Sequence, residues 1–80
     1  MSDPLSVVWS DGALKAWRRL PFDDAESVAA AVHRFAHGDP AGIVIAQGPY
    51  EFALFVGARA VILVHDPAAG VLHVDEIRQA

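Results

Sequence analysis

The sequence predicts an α+β fold in which an N-terminal strand and a two-helix hairpin pack on a C-terminal antiparallel β-meander. Two observations point there. From Tyr50 to Ile77 the chain reads YEFALFVGARAVILVHDPAAGVLHVDEI, three apolar β-type runs parted by Gly57 and by Asp66-Pro67-Ala68-Ala69-Gly70. Connections this short join antiparallel neighbours. Upstream, between Asp11 and Gly38, apolar residues recur at helical spacing in two blocks separated by Pro21.

In chain order, Met1 to Leu5 is a lead-in, and Ser6-Val7-Val8-Trp9 is β-branched and aromatic, as a short strand is. Asp11 is placed to cap a helix over Gly12–Leu20. Its apolar stripe is Leu14, Trp17 and Leu20 or Phe22, with Lys15, Arg18 and Arg19 on the other side. Basic residues in the last turn suit the helix dipole, and Pro21 ends the helix. Asp23 then offers an N-cap, with Glu26 three residues on to complete a capping box and Phe22 ahead of it as a hydrophobic staple. This second helix runs to about His37 with Val28, Val32 and Phe35 on one face, beside Ala25, Ala31 and Ala36. Gly38 is the expected left-handed residue after its end, and Asp39-Pro40 prevents continuation. Gly42-Ile43-Val44-Ile45-Ala46 is wholly apolar and reads either as a buried strand or as an extended connector under the helices. Gln47-Gly48-Pro49 turns the chain into the meander.

Eighty residues make one domain, 1–80. Hydrophobic residues are 54% of the chain and charged ones 20%, more apolar material than a core this small hides. Part of it is therefore expected at a subunit or partner interface. With no cysteine there is no disulfide or thiolate chemistry, which suits a reducing cytosol. No apolar run reaches the ~18 residues of a membrane span, and an acidic residue stands where a signal peptide would be basic. A soluble intracellular protein is expected. Six Lys and Arg against ten Asp and Glu leave a net charge of −4, which disfavours a general nucleic-acid binder.

Motifs for chemistry are sparse. His33 and His37 stand four apart on the second helix, but the Glu of an HExxH zinc motif is replaced by Arg34 and Phe35. His65 and His73 flank the last turn and are expected to approach each other across it, one of them as an acid or base. No phosphate loop, nucleophile constellation or cofactor motif is present, and no cofactor or metal is expected. Lys15, Arg18 and Arg19 form the densest basic patch, which serves as a solvated helix face or as a contact surface for an acidic partner. Trp9 and Trp17 are core or interface anchors.

The stretches VVWSDGALKAWRRLP (Val7 to Pro21), the helix ending His37-Gly38-Asp39-Pro40, and the Tyr-initiated meander together resemble the RelE/ParE superfamily of bacterial toxins. The resemblance spans nearly the whole chain. It implies a cytoplasmic toxin-type subunit of a toxin–antitoxin pair, bound by an antitoxin that wraps the sheet and helices. RNase-type members act on ribosome-bound mRNA with basic residues plus Tyr or His. Here that would fall to Arg59 and Arg78, stabilising phosphate charge, and to His73 as acid or base. Partner contacts would fall to Lys15, Trp17, Arg18 and Arg19. The chain has Ala60 where the family has an arginine after the bend, and Asp75-Glu76-Ile77-Arg78 where it has a His and Arg cluster. The other reading is accordingly a catalytically inert RelE/ParE-like interaction or dimerisation module.

Overall fold

The computed structural model describes residues 3–40 and 42–80. Met1 and Ser2 of the lead-in, and Ala41, lie outside the described residues. The elements are β1 (Ser6–Trp9), α1 (Asp11–Arg18), α2 (Phe22–Ala36), β2 (Ile43–Ala46), β3 (Glu51–Val56), β4 (Arg59–Asp66) and β5 (Val71–Gln79). The strands form one five-stranded sheet in the order β1-β5-β4-β3-β2. The expected meander is present, β3 to β5, antiparallel throughout. β1 lies parallel to β5, so the sheet as a whole is mixed.

Both hairpins of the β3–β5 meander follow from their turn residues. Gly57 takes φ +57° at the first of two central positions while Ala58 keeps the ordinary sign, the combination that a type II′ turn requires. In the last turn Asp66 Oδ1 accepts the Ala69 N–H at 3.2 Å, and Gly70 reverses the chain at φ +66°.

The core lies between the helices and one face of the sheet. Val28, Val32 and Ala36, one helical turn apart, are buried against Leu54, Val61, Leu63, Leu72 and Val74. Phe35 packs on Phe52 with ring centroids 5.6 Å apart. α1 contributes Ala13, fully buried and absent from the stripe read from the sequence. Trp17 ties the two helices together: its Nε1–H donates to the Ala25 carbonyl at 2.8 Å, and its ring stands 5.9 Å from that of Trp9.

Several local expectations are corrected. Ser10, not Asp11, caps α1, because its extended backbone lets Oγ accept the Ala13 N–H at 3.0 Å. That helix ends at Arg18, and the Arg19 and Leu20 N–H groups close onto carbonyls three residues back before Pro21. α2 starts at Phe22 with Pro21 in the cap position and no side-chain cap, so the Asp23–Glu26 capping box does not form. Asp23 and Asp24 instead sit inside the first turn, where the dipole still favours them. Phe22 is 78% exposed and staples nothing. At the other end Gly38 behaves as expected, with φ +77°. Its N–H meets the Phe35 carbonyl and the Asp39 N–H meets that of Arg34, closing a Schellman motif. Residues 43–46 are neither buried nor a connector under the helices: they form an edge strand, with Ile43 65% and Ile45 50% exposed.

Candidate functional site: the outer sheet face

Strand alternation sends half of each strand's side chains away from the helices. The pairing register places Ile43 and Ile45 of β2, Glu51, Ala53 and Phe55 of β3, Ala60, Ile62 and Val64 of β4, and His73, Glu76 and Arg78 of β5 on this outer face. Its middle, Ala53, Ala60 and Ile62, is buried, and its margins carry exposed isoleucine and charge.

A β-bulge decides which residues reach this face. Leu63 pairs with Val74 and Ile62 with Glu76, leaving Asp75 as the extra residue on β5. The cause is compositional. Val74 and Ile77 both seek the core, and an unbroken strand would have put Glu76 inside and Ile77 outside. Ser10 closes the distortion, donating its O–H to the Asp75 carbonyl at 2.7 Å while capping α1.

The bulge also separates the residues expected to handle phosphate. Without it the register would set Arg59 opposite Arg78; with it Arg59 pairs Gln79 and Arg78 pairs Ala60, so the two arginines lie on opposite faces. Arg59 points to the helices, 3.5 Å from Asp24 of α2, with 19% of its side chain exposed. The two border a cavity of about 180 Å³ with Ser27, Val28, Val56 and Gly57. Arg78 is on the outer face, 2.9 Å from Glu76. The hydrogen bond and charge of Arg78 hold the Glu76 carboxyl below the usual carboxylate range. Glu76 in turn raises the guanidinium pKa, with the charges of Glu51 and Asp75 adding to it. His73 is exposed on the same face, five residues from Arg78 and roughly 15 Å away at strand spacing. The three residues therefore do not converge on one reacting atom.

Register also parts the other histidines. His65 pairs Leu72 and His73 pairs Val64, so His65 and His73 occupy opposite faces and the expected approach does not occur. His65 instead borders a cavity of about 300 Å³ with His37, Phe35 and Leu5. His33 and His37 stack with centroids 4.2 Å apart. Among the described residues no three His, Cys, Asp or Glu side chains gather as a metal site. Lys15 and Arg18 on α1 and Arg19 at its C-cap are exposed, whereas Trp17 is half-buried between the helices.

No family model matches the chain. No curated protein matches it either. Solved structures do. The chain is similar to a chain of the intact E. coli RelBE toxin–antitoxin complex, with TM-score 0.79 and 15% identity over 95% of this chain and 96% of that one. A chain of the Mycobacterium tuberculosis RelBE2 toxin–antitoxin complex aligns with TM-score 0.78 and 12% identity over 96% and 92%. The fold is RelE-like.

Within this RelE-like fold, the sequence reading missed Ser10, Asp24 and the bulge at Asp75. The signal for the bulge was present: two polar residues stand between the core-facing Val74 and Ile77 where regular alternation allows one. Asp24 carries no site signal in the sequence, because nothing local connects it to a hairpin more than thirty residues away. No helix among the described residues is long and apolar enough to cross a membrane.

Proposed function

We propose that this chain is the toxin-type subunit of a RelE-like toxin–antitoxin pair, acting in the cytoplasm and bound by a cognate antitoxin. The observation that supports this most is the end-to-end likeness to two structures solved as toxin–antitoxin complexes. Among the described residues no helix covers the outer face and no strand pairs the far side of β2, which leaves surface for such a partner. The exposed Lys15 and Arg18 of α1 and Arg19 at its end offer a second contact for acidic residues of the same partner, with Trp17 holding α1 in place beneath them.

One observation favours the second reading, an inert RelE-like interaction module: Arg78 is already neutralised by Glu76 and stands apart from both Arg59 and His73. Carboxylates beside a phosphate site would repel it. The deciding experiment is growth after induced expression of the intact protein and of Arg59→Ala, His73→Ala and Arg78→Ala variants at matched abundance. Arrest by the intact protein supports the toxin reading. Its relief by His73→Ala or Arg78→Ala would assign mRNA cleavage to the outer face. Arrest unaffected by all three assigns toxicity to target binding. No arrest from folded protein overturns the toxin reading and leaves the interaction module.

A further inference from the structure

Basic residues concentrate on the helix side of the sheet, where Asp11, Asp23, Asp24 and Glu26 offset them. Of the six Lys and Arg residues, Lys15 and Arg18 sit on α1 with Arg19 capping its end, Arg34 is on α2, and Arg59 points at the helices. Only Arg78 projects from the outer face. Glu51, Asp75 and Glu76 all bear on it through hydrogen bonding or charge. Beside this acidic ground lie the exposed Ile43 and Ile45 and the half-buried Phe55. β2 itself has no strand on its far side among the described residues. Charged side chains commonly guard such edges, yet none occurs between Pro40 and Tyr50.

We infer that the outer face, with the β2 edge, is the docking surface for a basic polypeptide segment. Its apolar stripe covers Ile43, Ile45 and Phe55, and its Lys or Arg residues meet Glu51, Asp75 and Glu76. The inference rests on the partner-binding reading above and specifies the chemistry of that partner. Other occupants fit less well. A second copy would bring another three carboxylates and another ion-paired arginine against the first set. A nucleic acid would set phosphates against the same carboxylates. From β2 to β5 is three strand spacings, roughly 14 Å, a span covered by about ten helical residues. Steering between opposite charges speeds and orients such docking, while the apolar stripe supplies its hold.

The test uses the full chain and two synthetic helical peptides that share one leucine stripe, flanked by lysine in one and glutamate in the other. Binding is measured by calorimetry at physiological salt. The lysine peptide is expected to bind tighter than the glutamate peptide by roughly tenfold or more, and Ile45→Asp to weaken it by a similar factor. Glu51→Lys/Glu76→Lys reverses the preference. Asp23→Lys/Glu26→Lys changes net charge equally on the exposed side of α2 and leaves the preference in place. No binding of the lysine peptide, equal binding of the two peptides, or an equal loss from the α2 variant overturns the inference. So does tighter binding of single-stranded polyadenylate than of the lysine peptide, or a dimer in sedimentation that Ile45→Asp dissociates. Growth arrest is a separate readout: an inert chain can show the peptide preference and a toxic one can lack it, so failure of either reading is seen independently.

Discussion

The two faces of the sheet are drawn from the same strands yet obey different rules. On the inner face Leu54, Val61, Leu63, Leu72 and Val74 have almost no exposure, because α2 covers them with Val28, Val32 and Ala36. On the outer face burial is confined to the middle, at Ala53, Ala60 and Ile62, and it fails at the margin, where Ile43 and Ile45 face solvent. An inner side chain has partners on both sides and contributes its full transfer free energy to stability. A marginal outer one has partners on one side only. The inner face therefore specifies the fold, and the outer face is free to be specified by whatever binds it.

The sharpest way to break this division is Leu63→Ala. Leu63 is fully buried at the centre of β4, and truncation removes transfer energy and leaves a cavity, so a loss of about 2–5 kcal/mol is expected. For a chain of this size that is a large fraction of the whole stability. Urea unfolding followed by circular dichroism reads it. A midpoint shift equivalent to less than about 1 kcal/mol would mean that the inner face can relax and is not the tightly packed one.

The boundary between the faces on β5 is held by Ser10. Ser10→Ala removes the cap of α1 and the hydrogen bond to the bulged Asp75 carbonyl together, with an expected cost of about 1–2 kcal/mol. Ser10→Thr keeps a hydroxyl and should recover most of it. Thermal melts of the two variants side by side test this, and equal losses would show that the side-chain oxygen does neither task.

Much of the architecture was legible because composition and spacing agree. Gly57 and the Asp66–Gly70 turn announce the meander, and Pro21 and Gly38 bound the helices. The faces were harder to read. Ala60 to Val64 is apolar at every position, so alternation says nothing there about which side is covered. The parallel pairing of β1 with β5 was not legible, since nothing in Ser6–Trp9 distinguishes a partner more than sixty residues away from a nearer one. The capping box at Asp23–Glu26 satisfied its local rule and still did not form, because Pro21 takes the cap position and starts the helix at Phe22. For the site, the resemblance gave Arg59 and Arg78 a shared role in stabilising phosphate charge, which needs both on one face. One extra residue on β5 sends them to opposite sides.

Ile45→Lys places a charge on the outer margin, where the side chain is half exposed. Stability is expected to change by no more than about 0.5 kcal/mol, while affinity for a basic partner falls. Chemical denaturation and the peptide titration of the same preparation separate the two effects. A loss of stability approaching that of Leu63→Ala would erase the difference between the faces.

The smallest effect concerns the ion pair on the outer face. Glu76 has its folded pKa depressed, first by the hydrogen bond from Arg78 and then by its charge. A depressed carboxyl stabilises the fold above its unfolded pKa, about 4.3 for glutamate, and this contribution disappears as pH falls through the lower folded value. Both partners are exposed, so solvent and salt screen the gain and the pair adds little. Glu76→Gln should therefore melt slightly below the parent protein at pH 7 in dilute buffer, and the gap should narrow as pH falls below about 4.3 and in about 1 M salt. The raised pKa of Arg78 has no counterpart in this range, since the guanidinium stays charged throughout. A gap that survives acid and salt would place the role of Glu76 in packing rather than charge. The outer face would then share more with the inner one than its exposure suggests.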